Sequence, residues 1–390
     1  MKKPGVLLLL IAYLGFISLG LPDATHGVNW PFVRETFDLP NAWLGMILTC
    51  TGIGYFCSSM SAGLILNRLG VGSLLAGSSL LVFIALTGFA LAQYWVVFLL
   101  FAILLGLGSG AIDTGLNAYA AEHFSTRQMN WLHAAFGVGA MTGPMIATAV
   151  LVASGNWRVG YGTIGFILLL MAGLFFLTRH QLEDRSDQLH AADELNLPDG
   201  YSHVFRQTVV WFHILLFFIY TGIEIGIGQW AFTVLTEGRS IDTALAGLWT
   251  SFFWGALAAG RIFFGVVVAR IPTDWVIRLA MWGTLIGTVV FCIDGLPLLS
   301  LIGLLVTGFC LAPIFPCLMS RTPQRVGKKL APRVIGIQVS MALISGVSLP
   351  FSMGYIASFW GLESIGVTVL VLVIMLVLVH ETLMMHTRER

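Results

Sequence analysis

Charge is what this chain has least of. Asp, Glu, Lys and Arg make up 10% of its 390 residues, against about 25% in ordinary soluble domains. That is too little to cover a globule of this length with solvated side chains, so a soluble fold is excluded. The formal net charge is only +1, and without a basic surplus there is no footprint for nucleic acid. Cysteine is sparse too. Cys50, Cys57, Cys292, Cys310 and Cys317 all lie in apolar segments with no C-x-x-C pair, which excludes a redox motif and reads as small buried hydrophobes. No Walker loop and no zinc-ligand spacing occurs, so ATP-driven or metal-assisted chemistry has no support. The expectation is a protein with no catalytic residues, no metal and no organic cofactor.

What the chain has is apolar residues in long runs. It is 57% hydrophobic, with a mean hydropathy of +0.89. The runs are continuous rather than alternating, which favours helices over a barrel. With about 20 residues needed to cross a bilayer, twelve spans are predicted: 5–30, 42–65, 72–92, 95–119, 130–153, 159–178, 209–235, 244–268, 275–294, 298–319, 334–357 and 363–380. Lys2 and Lys3 precede the first run like a signal sequence, but no small-residue cleavage site follows, so it reads as an uncleaved span. The longest polar connection, 179–206, divides the chain into an N-terminal six-helix bundle (1–178), a linker (179–206) and a C-terminal six-helix bundle (207–390). With both termini cytoplasmic, only Arg34, Arg158 and Arg239 fall outside, Arg261 and Arg278 fall within spans, and every other basic residue falls inside, as the positive-inside rule requires.

The two halves echo each other. Gly63-Leu-Ile-Leu-Asn67-Arg68-Leu-Gly70 after span two is matched by Gly265-Val-Val-Val-Ala269-Arg270-Ile-Pro272 after span eight. Leu44-Gly45 is matched by Ala246-Gly247, and Asp23, Asn29 and Trp30 of span one by Glu224, Gln229 and Trp230 of span seven. A duplicated six-helix unit is a transporter layout with a central site between the halves.

Polar residues inside the spans are the candidates for that site. The stretch Gly106–Pro144 carries Asp113, Asn117, Asn130 and His133 among apolar and glycine neighbours. An intramembrane carboxylate is costly as an anion, and a proton or sodium ion can neutralise it, so Asp23, Asp113 and Glu224 are candidates for coupling. Asp113 has a structural alternative, a hydrogen bond to Asn117 one turn on, and Asp23 has one as an outer-turn cap. Counted along regular helices, Asp23 lies about 27 Å from the inner end of span one and Asp113 about 14 Å from that of span four, which would separate them in depth. Asn29 and Gln229 can bond hydroxyl pairs, and the faces of Trp30 and Trp230 can pack on a sugar ring. The competing reading puts both tryptophans in the outer aromatic belt. His133 can change protonation near neutral pH or simply pack between helices, and Gln338 of span eleven holds a similar place in the second half. Arg261 and Arg278 are either buried counter-charges or snorkel to the inner surface. Gly137, Gly139, Gly143 and Pro144 are spaced for close helix approach, and Gly106-Leu-Gly108-Ser-Gly110 reads as helix packing rather than a phosphate loop.

On these motifs the chain resembles the major facilitator superfamily over its full length, which implies twelve transmembrane helices in two pseudo-symmetric six-helix halves. Gly63, Asn67, Arg68 and Gly70 are similar to the family's G-x-x-x-D-R/K-x-G loop, a cytoplasmic latch; here Asn67 stands where the family has aspartate, leaving hydrogen bonds in place of a charge pair. Asp113-Thr114-Gly115-Leu116-Asn117 resembles the acidic-T-x-x-N signature of the fucose permease branch. The segment Asn130 to Ala140 resembles that branch's helix five, which often has glutamine at the His133 position, and Asp23 sits where the branch has its other acidic residue. The resemblance, shared with sodium-linked glucose carriers, implies proton-coupled symport of a sugar, with sodium as the alternative ion. Gly139-x-x-x-Gly143-Pro144 half-matches the antiporters' helix-five motif, with Ala147 and Thr148 where two glycines are usual. That implies the alternative of a proton-driven exporter of drugs, metabolites or lipid-linked head groups. The expected setting is a bacterial-type inner membrane, as a monomer whose partners are lipid and a small solute.

Overall fold

A computed structural model describes residues 6–181, 205–268, 270–327 and 329–388. Most of the linker, the chain termini, Ala269 and Lys328 lie outside those residues. Among the described residues, eleven helical segments are long and apolar enough to cross a membrane. Each coincides with a predicted span. The remaining prediction, 244–268, is also a helix, Thr243–Val267.

The first unit contains α1 (Val6–Asp23), α2 (Thr25–Phe37), α3 (Leu44–Leu91), α4 (Trp95–His123), α5 (Thr126–Ser154) and α6 (Trp157–Thr178). Contacts also group Thr243–Ser251 with it. Helices α1 and α2 form one span with a break at Ala24. Pro22 and Pro31 bracket the break, and each removes a backbone donor. Helix α3 runs through two spans and is interrupted at Gly70, where φ is 74° and ψ 165°. A side chain at Gly70 would be strained in that conformation. The polar turn between α4 and α5 ends in a capping box: Ser125 N donates to Gln128 Oε1 at 2.8 Å, and Gln128 N to Ser125 Oγ at 3.4 Å.

Glycines set the spacing in this unit. A Cβ on Gly139 would lie 2.3 Å from Ile17 O, and one on Gly143 2.1 Å from Leu21 O. A Cβ on Gly106 would meet Thr51 O at 1.9 Å. The glycine-rich stretch therefore lets α5 lie directly on α1 and α4 on α3, as small-residue spacing permits.

The second unit contains α7 (Thr208–Thr233), α8 (Thr243–Val267) from Phe252 onwards, α9 (Thr273–Phe291), α10 (Pro297–Leu311), α11 (Ile314–Val326), α12 (Ala331–Trp360) and α13 (Ser364–Arg388). Helices α10 and α11 make one span broken at Ala312 and Pro313. A five-residue π-helix, Val234–Gly238, continues α7. Helix α7 packs on α12 and α13, and α9 on α10 and α13. Lipid replaces water outside such a bundle, which is why residues such as Phe166, Ile262, Ile286 and Leu378 are left exposed.

Candidate functional site

In the first unit the polar groups gather on Asp113. Asn117, one helical turn on, donates Nδ2 to Asp113 Oδ1 at 2.9 Å. Tyr55 of α3 donates its hydroxyl to Oδ2. Both carboxylate oxygens are thus held, one within the helix and one from its neighbour. Gly110 makes this possible, since a Cβ there would come within 2.5 Å of Tyr55 O. Beside this set, Thr114 donates to Ser59 Oγ at 3.0 Å. The structural alternative for Asp113, its bond to Asn117, is present, and Tyr55 adds to it.

Asp23 is the last residue of α1 and is half-buried. It and Asp113 lie close enough for each charge to act on the other, and Tyr55 lies within range of both. Counted from helix ends these carboxylates lie at different depths, yet the charge of Asp113 still bears on Asp23.

Three further groups lie along one face of α2, at the i, i+3, i+4 spacing of His26, Asn29 and Trp30. His26 Nδ1 and the Tyr161 hydroxyl are hydrogen-bonded at 3.0 Å. The Asn29 amide is buried beside the Tyr161 hydroxyl without a close hydrogen bond, and Nε1 of Trp30 is buried with no hydrogen-bond partner among the described residues. Trp30 is wholly buried, 6.3 Å between centroids from Trp95. It sits inside an aromatic cluster and not in an outer belt. His133 of α5 packs edge-on against Phe16 of α1 at 5.3 Å. Asn130 lies on α5 with its side chain outside the described residues, as are those of Asn67 and Arg68; Gly63 lies within α3.

In the second unit, Glu224 of α7 is buried and accepts a bond from Arg261 Nη2 of α8 at 3.2 Å. Arg261 is therefore a counter-charge. The Tyr220 hydroxyl faces the same pair. Arg278 is likewise a counter-charge, with its Nε 2.7 Å from Glu381 Oε1. Gln229 is buried on α7. Trp230 is wholly buried, and its Nε1 donates to Pro350 O at 2.9 Å; it too is away from any outer belt. Gln338 stands apart from this group. Its Nε2 donates to His213 Nδ1 at 2.9 Å and to Thr322 Oγ1 at 3.1 Å, tying α12 to α7 and α11. His213 lies about 16 Å along α7 from Glu224.

Sequence reasoning passed over Tyr55, His26 and Tyr161. The available signal was that a phenol or imidazole inside a span needs a polar partner. Which partner each finds depends on helix contacts that no local pattern encodes.

Long apolar helices, a half-buried carboxylate held by two donors, and a buried ion pair define a multi-pass membrane protein with polar sites inside its bundles. The chain belongs to the Major Facilitator Superfamily, whose family model matches residues 12–248. It is a transporter-family protein, not an enzyme. It is 23% identical over 356 residues to the glucose/mannose transporter GlcP of Bacillus subtilis, covering 89% of this chain and 87% of that one. It is 22% identical over 364 residues to sodium-dependent glucose transporter 1 of Xenopus laevis, covering 85% and 72%. Among solved structures, the nucleoside transporter NupG superposes with a TM-score of 0.78 at 12% identity, covering 96% of this chain and 98% of that one. That last likeness concerns the fold alone.

Proposed function

We propose that this protein is a secondary transporter working by alternating access, carrying a small sugar together with a proton. The observation that carries the coupling reading is the arrangement at Asp113. Its carboxylate is held by Tyr55 and Asn117 and lies within electrostatic range of Asp23. Two carboxylates near each other in an apolar bundle repel, and a cation bound to one of them relieves the repulsion. A proton needs only an oxygen lone pair, whereas sodium needs several oxygen ligands, so the hydrogen-bonded geometry favours the proton. Asp23 and Asp113 are the proposed proton station, and Glu224 with Arg261 is its charged counterpart in the second unit.

The sugar reading rests on the chain's similarity to glucose transporters. It rests also on the buried amide of Asn29, which lies beside the Tyr161 hydroxyl but makes no close hydrogen bond. Such a group costs about 1–3 kcal/mol while unsatisfied, and a substrate hydroxyl would relieve that cost. Asn29, Asn117, Asn130, His133 and Gln229 supply polar contacts in this scheme. Trp30, Trp230 and Gln338 shape the surrounding helices. Export gains nothing from the structure: Gly139 and Gly143 seat α5 against α1, a role that requires no exchange. The proposed setting is an inner membrane, with both termini cytoplasmic.

The test is uptake by the purified protein in liposomes. Labelled glucose, mannose, xylose and fucose are offered under an inward proton gradient, an inward sodium gradient, or neither. The expected result is accumulation driven by the proton gradient. Accumulation with sodium alone would replace the ion, and no gradient-driven uptake of any of the sugars would overturn the reading.

A further inference from the structure

The charges of the second unit include a set that the transport reading does not use. Asp274 is the second residue of α9. It accepts Arg321 Nε from α11 at 2.9 Å and Arg325 Nη2 at 3.0 Å, with a further bond from Arg321 Nη2. One carboxylate is thus shared by two guanidinium groups. The nearby Arg278–Glu381 pair is internally neutral. The set keeps one positive charge in excess.

Asp274, Arg321 and Arg325 line a cavity of about 330 Å³ together with Val209, Gln324 and Thr387. That volume lies within the range of small-ligand sites, about 300–1,000 Å³. Arg321 Nη1 is taken up by Gln324 Oε1. Arg325 is different. Its side chain is only 8% exposed, and its Nη1 is buried with no hydrogen-bond partner among the described residues. A guanidinium N–H in that position lacks an acceptor, and a buried donor without one costs free energy. Val209 and Asp274 lie in the first turns of α7 and α9, so the positive ends of two long helices also border the cavity. Val209 is about 22 Å along α7 from Glu224, far from the proposed coupling groups.

We infer that this cavity is a binding site for a phosphate-class anion, held by the guanidinium groups of Arg325 and Arg321. A tetrahedral oxyanion matches the need: it carries the charge that the set lacks and several acceptor oxygens, and guanidinium groups bind such ions through paired N–H donors. The anion comes either free from solution or as the head group of an anionic lipid, since the cavity lies at an end of the bundle where helices α7, α9, α11 and α13 start or finish.

The experiment uses the full chain in phosphatidylcholine nanodiscs, with inorganic phosphate titrated while thermal unfolding is followed. A saturable rise in the unfolding temperature is expected. Arg325→Gln should weaken the apparent affinity at least tenfold. Thr387→Glu, which places a carboxylate in the cavity without removing an arginine, should do the same and serves if Arg325→Gln fails to fold. Arg179→Gln, a basic residue outside the cavity, should leave the titration unchanged. A second arm replaces part of the lipid with phosphatidylglycerol. If the head group is the occupant, that lipid raises the unfolding temperature without phosphate, and phosphate then adds little. If free phosphate is the occupant, the lipid changes nothing. Both results support the site, provided they are lost in the two cavity variants. No saturable response to phosphate or phosphatidylglycerol, or equal responses in wild type and Thr387→Glu, would overturn it.

Discussion

Asp113 has its two oxygens assigned to different helices. Asn117 holds Oδ1 from α4 itself, and Tyr55 holds Oδ2 from α3. Hydrogen bonds to a charged group contribute about 1.5–3 kcal/mol each. Tyr55→Phe should therefore slow gradient-driven uptake by roughly ten- to a hundredfold on the scale of 1.4 kcal/mol per decade. Asp113→Asn should abolish accumulation while leaving sugar exchange measurable. Both are read by transport in proteoliposomes, and unchanged accumulation in Asp113→Asn would remove that residue from coupling. Glu224 makes a different kind of prediction. Arg261→Gln leaves a buried carboxylate without its counter-charge, a loss of about 3–5 kcal/mol. The double variant Glu224→Gln with Arg261→Gln should recover most of that stability, as measured by thermal unfolding in detergent. If the double variant were as unstable as the single one, the ion pair would not be the cause.

At the scale of the element, glycine spacing decides how closely helices meet. The Gly139–Gly143 pair on α5 faces the backbone of α1 at Ile17 and Leu21, with no room for a Cβ. Gly139→Leu should force α1 and α5 apart. The expected cost is about 1–3 kcal/mol or more, with uptake falling because Asp23 and Asp113 lose their alignment. Gly162 is the control, since a Cβ there meets nothing within 4 Å; Gly162→Ala should leave the unfolding temperature and uptake unchanged. Elements also explain the uneven legibility of the spans. Eleven stand out by length and hydropathy among the described residues, and α8 adds a further helix that carries Arg261 of a buried ion pair.

For the whole molecule, the distribution of Lys and Arg predicts that both termini face the cytoplasm. Reporter fusions at the two ends should both be active on the cytoplasmic side, and a reporter inserted after Asp38 should be active on the opposite side. A terminus found outside would reverse the topology. The same orientation would place the Asp274–Arg321–Arg325 cavity on the cytoplasmic face, where soluble phosphate and anionic head groups both have access.

Local composition alone determined that this chain is a helical membrane protein built from two related halves. Apolar runs of span length, scarce charge and repeated motifs are properties of consecutive residues, and a bilayer reads them one span at a time. The same information marked Asp23, Asp113 and Glu224, because a carboxylate is conspicuous wherever it interrupts an apolar run. Tertiary structure decided the partners. Nothing near Asp113 in the chain points to Tyr55, and nothing near Glu224 points to Arg261. The tryptophans also needed the fold, since an indole near a span end suits a lipid interface or a helix junction equally until its neighbours are known. Hydrogen bonds and ion pairs join residues that share a level in the bundle, and that level is set by how glycine-lined helices dock, not by distance along the chain.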